Sequence, residues 1–214
     1  MKYKNKNPFR SLSLFLLLLS VFCVFSQGVR ASDDHQNDFK AMSGILTNYL
    51  RAQISHNFSE QAKYIAASEL VDFKNIFKPV FDELPKYSQE QRSTVFEIFI
   101  GTNDLANVES ATPQEFFVMV MKKSDRFHFK IPSAQITPLG YVGEKSGLNH
   151  LVYRYETEDL SASDVKVCSF KKETESWRIL LTEDIKTVAQ LKCAAAVLKL
   201  ALFHADKQKA SDQK

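Results

Sequence analysis

Apolar and polar positions along this chain follow two different repeats, and the change from one to the other divides the sequence. Phe39, Met42, Ile45, Leu46, Tyr49, Leu50 and Ile54 recur at spacings of 3, 3, 1, 3, 1 and 4, the stripe of a long amphipathic helix. A short helix is expected from Ser59, and another from near Ser68 with Leu70, Phe73, Ile76, Phe77 and Val80 on its apolar side. Pro79 lacks the N–H that an interior helical position needs, so it should kink or end that helix, and Pro85 closes the segment. Ser88 with Gln91 three residues later makes a capping box ahead of Val95, Phe96, Ile98 and Phe99, and Gly101 stops that helix. Thr112-Pro113-Gln114-Glu115 places Thr at a cap, Pro at the first helical position and Glu at the third, ahead of Phe116, Phe117, Met119, Val120 and Met121.

From Ala134 the repeat shortens to two. Leu148–Glu156, Val165–Lys171 and Trp177–Leu181 are rich in β-branched and aromatic residues, and turn-prone segments separate them at Glu144–Gly147, Asp159–Asp164 and Glu173–Ser176. An earlier strand spans Ala134–Val142, with Pro138 and Gly140 marking a bend or an edge position. Short connections make consecutive strands antiparallel neighbours, so helices followed by a meander predict an α+β domain. A last helix is expected over Ile185–Ala205, with Ile185, Val188, Leu191, Ala195, Leu198 and Leu202 in register and only Lys199 charged from Cys193 to Ala205. Being apolar nearly all round, it either covers a sheet face or buries one side against a second subunit.

The formal charge is +3, yet residues 1–31 hold Lys2, Lys4, Lys6, Arg10 and Arg30 and no acid. Removing those five from 28 basic residues leaves 23 against 25 acidic, a net of −2, which gives no electrostatic case for nucleic acid. The same segment runs from basic Met1–Arg10 through apolar Ser11–Phe25 to Val29-Arg30-Ala31, the layout of a secretory signal peptide cleaved before Ser32. An uncleaved anchor is the alternative, because the uncharged window Ser11–Val29 approaches the ~20 residues that span a bilayer. Cleavage would leave an exported, periplasmic or secreted chain with no stable membrane insertion. It would have loose ends at Ser32–Asp38 and Asp206–Lys214 and one domain between them. Cys168 and Cys193 would remain in a disulfide-permissive compartment, either bridged or as two buried thiols.

The order of these elements resembles a known family. A long first helix leads into Ser59-Glu-Gln-Ala-Lys-Tyr-Ile-Ala66 and Glu69-Leu-Val-Asp-Phe-Lys-Asn-Ile-Phe77, then Thr112-Pro-Gln-Glu-Phe-Phe117, Leu139-Gly-Tyr-Val142 and His150-Leu-Val-Tyr-Arg154. Over about Phe39–Asp184 this resembles exported bacterial members of the nuclear transport factor 2-like, or ketosteroid-isomerase-like, superfamily. The resemblance implies a cone of helices against a curved antiparallel sheet of about four strands, open at one end as a pocket. The helix Ile185–Ala205 is an addition beyond the family's usual last strand, and the family's catalytic Asp has no matching context here.

On Leu148–Glu156 the period of two puts His150, Val152 and Arg154 on one face and Leu151, Tyr153 and Tyr155 on the other, so only one set can line a pocket. His150 and Arg154, roughly 13 Å apart along the strand, could hold opposite ends of a ligand, or instead face solvent or pair with Lys171 or Glu173. Tyr141, Tyr153 and Trp177 are the expected aromatic wall. No catalytic residue is assigned: Glu115 reads as a cap, while Asp104 and Glu109 fall in a predicted loop. Metal-ligand spacings, CxxC, Gly-x-Ser-x-Gly and phosphate-cradling glycine motifs are missing, so no metal or cofactor is assigned either. The expectation is a non-enzymatic domain binding a small apolar or amphipathic ligand or a protein partner, with a homodimer through the C-terminal helix. An isomerase or lyase using the same pocket, or a purely structural dimerisation domain, are the alternatives.

Overall fold

The computed structural model describes residues 34–101, 105–124, 134–157 and 163–212, which divide into two units between Ala41 and Met42. In the first unit residues 34–41 are helical, although the polar sequence of Ser32–Asp38 predicts a loose end. The expected signal segment, residues 1–31, lies outside the described residues.

The second unit opens with α1, residues 42–54, which buries Met42, Leu46, Tyr49 and Leu50. A turn at His56, whose φ of 56° is left-handed, leads into α2 (Phe58–Ala62), capped by the Asn57 side chain accepting the Glu60 N–H at 3.1 Å. The single helix expected from Ser68 is two helices, α3 (Ala67–Asn75) and α4 (Lys78–Glu83). Pro79 sits in the first turn of α4, where its missing N–H would have had no partner anyway, so it starts a helix instead of kinking one. After a turn of 3-10 helix at Leu84–Lys86 comes α5 (Gln89–Phe99), with both halves of its capping box formed. The Gln91 N–H donates to Ser88 Oγ at 3.3 Å and the Ser88 N–H to Gln91 Oε1 at 3.1 Å. Gly101, at φ 76°, turns the chain out of α5.

The predicted loop beyond Gly101 contains α6 (Leu105–Ser110), which puts Glu109 on a helix 3.5 Å from the Arg92 guanidinium; Asp104 lies outside the described residues. The Thr112 cap opens α7 (Pro113–Ser124) as expected, the Thr112 N–H donating to Glu115 Oε2 at 2.8 Å. That N–H, and then the Thr112 hydroxyl, hold the Glu115 carboxyl below its ordinary pKa. Between α3, α4, α5 and α7, Phe73, Phe77, Phe96, Phe99, Phe116 and Phe117 close off from solvent as one cluster. Phe77 stacks on Phe99 at 4.9 Å between ring centres and meets Phe116 edge-on at 5.1 Å. Burying each ring is worth roughly 1.5–3 kcal/mol, which makes this cluster the anchor of the helical half.

Four antiparallel strands follow in the order β1 (Ala134–Gly143), β2 (Leu148–Thr157), β3 (Ser163–Glu173) and β4 (Ser176–Ile179), so among the described residues the fold is α+β. A bulge between Pro138 and Gly140 shifts the β1–β2 register at the two residues that broke the strand pattern. Burial then alternates. Leu151, Tyr153, Cys168, Phe170, Trp177 and Ile179 face the core, while Val142, Val165 and Val167 are exposed on the other side. At the end of β4, Ile179 bridges to Ile65 in parallel, so the helical half is stitched to the sheet by backbone hydrogen bonds.

The last element, α8 (Glu183–Asp212), starts earlier than expected and runs well past Ala205, through the segment read as a loose tail. Ile185, Ala189, Cys193, Ala196 and Leu200 are its buried side, and it packs on α5 and α4 instead of covering a sheet face. Lys186 meets Glu69 at 3.2 Å, and the Tyr87 hydroxyl donates to the Leu200 carbonyl at 3.1 Å. Cys168 on β3 and Cys193 on α8 are both free, buried thiols, the second of the two arrangements the sequence allowed.

Candidate functional site

A cleft of about 770 Å³ opens between α1, the His56 turn, Met121 on α7, the core face of β2 and β3, and the first turn of α8. Its inner surface is apolar: Leu46, Leu50, Ile54, Phe58, Met121 and Ile185. The α1 residues arrive there because Leu46, Tyr49 and Leu50 of its stripe pack inward while Gln53 and Ile54, one turn on, reach the opening.

Three polar-tipped side chains sit deep in it. Burial drives the Tyr49 phenol far above its ordinary pKa; Cys168 and Tyr153 push the same way, and the wholly buried Gln61 side chain pulls against them. Burial likewise lifts Tyr153 to about 12, with Cys168 and Tyr155 adding to it, and lifts the Cys168 thiol to about 12. Both hydroxyls are therefore neutral at physiological pH, and each can donate one hydrogen bond to a ligand. The protonated thiol is a packing group and not a nucleophile.

The mouth carries charge of both signs. Lys166 Nζ rides 5.0 Å from the centre of the Tyr155 ring. Glu183 and Asp184 occupy the first turn of α8, where acids complement the helix dipole. This arrangement can enclose an apolar body, donate hydrogen bonds to it from two phenols, and meet a charged end at the rim. Its size and mixed lining are those of small-molecule sites.

The residues predicted from sequence separate along the strand alternation. Tyr153 lines the cleft, together with Tyr155. His150 and Arg154 stand on the opposite face and do not reach it, which corrects the expectation that they supply its polar contacts. His150 Nε2 lies 2.7 Å from Glu144 Oε1 and its Nδ1 lies 2.9 Å from Ser169 Oγ, a local brace between β2 and its neighbours. Arg154 is exposed, 3.9 Å from Glu156. Tyr141 is half-buried opposite Leu151, and Trp177 is buried under Lys172, whose ammonium is 5.5 Å from its ring; neither lines the cleft.

Sequence reasoning missed Tyr49, Lys166 and Cys168. Tyr49 had a signal, since it is the one hydroxyl-bearing aromatic in the α1 stripe, and Lys166 and Cys168 share a strand face by simple alternation. Among the described residues, no group of three or more His, Cys, Asp or Glu is placed to hold a metal ion. Comparison with protein-family models, with curated proteins and with solved structures found no match to this chain.

Proposed function

We propose that this chain is an exported, non-enzymatic binding domain of the nuclear transport factor 2-like kind, whose cleft takes a small ligand with an apolar body and one polar end. The observation that carries the reading is the cleft itself: an apolar floor between α1 and the sheet, two protonated phenols inside it, and a lysine at the rim. Export rests on the basic, apolar and small-residue leader in residues 1–31. The family assignment rests on helices preceding a four-stranded antiparallel meander whose first strand is bulged. The lining carboxylates, Glu183 and Asp184, are exposed at the mouth.

Native mass spectrometry of protein from its own host, with thermal midpoints measured in decanoate and in dodecylamine, tests this. Decanoate should raise the midpoint, and Lys166→Met should weaken its binding roughly tenfold, the low end for a charge-assisted hydrogen bond. A response to dodecylamine alone would assign the polar end to Glu183 and Asp184 instead. If neither compound shifts the midpoint and nothing co-purifies, the cleft is not a binding site.

A further inference from the structure

The side of α8 that turns away from α4 and α5 is complementary to itself. Val188, Leu191, Ala195, Leu198, Leu202 and Ala205 recur at spacings of 3, 4, 3, 4 and 3, the a and d positions of a heptad repeat. Leu191, Leu198 and Leu202 are 66%, 63% and 52% exposed, although this stripe lies on a helix whose other side is firmly packed. One step before the stripe stands Asp184 and one step beyond it Lys209, both exposed and both in the same repeat.

We propose that a second copy of this chain docks here, with the two α8 helices antiparallel and the two-fold axis between Ala196 and Val197. In that register Leu191 meets Leu202 of the partner subunit, Ala195 meets Leu198 of the partner subunit, and Asp184 meets Lys209 of the partner subunit, each pair occurring twice. The symmetry is that of an isologous interface, in which one patch serves both subunits. A parallel arrangement would set Asp184 against Asp184 and Lys209 against Lys209, and would align the helix dipoles unfavourably. Thr187, Ala194 and Ala201 flank the seam with small side chains and let the helices approach closely. The apolar part of the seam is about 26 Å long at 1.5 Å per residue. A single helix pair of that length is a small interface, so the dimer is reversible.

By length and composition α8 could also cross a membrane over Glu183–Lys209. Its buried side is already committed to α4 and α5, however, and the acid and base at its ends answer a second copy, not a lipid surface. Asp184 also lines the cleft mouth, so docking would bring Lys209 of the partner subunit to that mouth whether or not the cleft takes a ligand.

Sedimentation equilibrium on the full chain tests the register by charge reversal. Asp184→Lys and Lys209→Asp should each weaken association roughly 2- to 30-fold, since each replaces two exposed ion pairs per dimer with like charges. Combining the two reversals should restore it. Leu198→Lys should give a folded monomer whose thermal midpoint no longer depends on concentration, the side chain being exposed in the single chain. Ala195→Cys with Leu198→Cys should form a disulfide-linked dimer, and Leu191→Cys alone should not, because the two copies of residue 191 lie about 16 Å apart along the axis. A monomer at all concentrations overturns the proposal, and so does a dimer that ignores both single reversals. So does Leu198-dependent binding to vesicles of equal parts phosphatidylcholine and phosphatidylglycerol without dimer formation.

Discussion

Lys192 Nζ, on α8, stands 3.4 Å from the carbonyl oxygen of Phe99, the last residue of α5, and equally 3.4 Å from that of Val120 on α7. A cation placed at the C-terminal end of α5 is favourable with respect to that helix's dipole. The same site is half-buried and near the Lys123 ammonium, and desolvation first, then that neighbour, pull the Lys192 pKa down to about 8. Holding α8 at the junction of two helices therefore costs this amine part of its charge.

The sign of the resulting pH dependence follows. Between pH 8 and 10.5 the folded state binds fewer protons at Lys192 than the unfolded chain does, so this group's contribution to stability rises with pH across that window. Urea midpoints of the wild type and Lys192→Met at pH 7 and pH 10 should show the wild type gaining on the variant at the higher pH. Parallel behaviour of the two proteins would mean that the amine stays charged in the folded state.

Tyr153 and Cys168 act in the opposite direction. Each has a folded pKa near 12, above its ordinary 10 or 9, so their share of stability is intact below pH 9 and is lost as the pH rises toward 12. Tyrosinate absorbance should show a late-titrating class, about two units above exposed tyrosines, and Tyr153→Phe should reduce it. A single titration near pH 10 in the folded protein would place these phenols in water.

Arg154→Ala should leave both the fold and cleft binding almost untouched. Its guanidinium is exposed, and its contact with Glu156 at 3.9 Å is a surface pair, so the thermal stability should change by about 0.5 kcal/mol or less. Calorimetric titration of a cleft ligand into the variant checks the second half. A tenfold loss of affinity there would return Arg154 to the site.

Gly101 combines two demands that no other residue type meets. Its φ of 76° is left-handed, and a Cβ would come within 2.7 Å of the Lys123 side chain, which pairs with Glu97 at 3.0 Å. Gly101→Ala should cost about 1 kcal/mol or more, measured as a shift of the urea midpoint at constant slope. The Lys123 side chain can move aside, so Gly101→Ala in a Lys123→Ala background should recover the steric share and leave the backbone share.

Local chemistry was well legible in the sequence. Ser88 with Gln91, Thr112 with Glu115, Gly101 and the Pro138–Gly140 irregularity act over a few residues, and each does what its residue types dictate. Pro79 was recognised as a break but not as a beginning, because the capacity of Phe77 to end one helix and precede another depends on the ring cluster around it. The facing of β2 could not be settled by alternation alone, since both of its faces carry apolar and polar residues. It took the packing of Leu151 and Tyr153 against the core to turn His150 and Arg154 outward. The cleft was hidden for the same reason: Tyr49, Cys168 and Ile185 come from three remote segments, and only tertiary packing brings them to one wall.

The stitch between Ile65 and Ile179 bears on the order in which the chain can become native. The Ala66 N–H donates to the Ile179 carbonyl at 2.9 Å, the Ile179 N–H donates to the Tyr64 carbonyl at 2.8 Å, and the nearby Leu181 N–H reaches the Glu69 carboxylate across 112 positions. During synthesis the segment at Tyr64–Glu69 therefore waits, its docking partners unmade, until nearly the whole sheet has left the ribosome. Closing so long a loop slows folding far more than it lowers stability. The slowest step in folding should thus be the arrival of β4 at the helical half, and a nascent chain halted before Ile179 would hold its phenylalanine cluster without the strand that seals it.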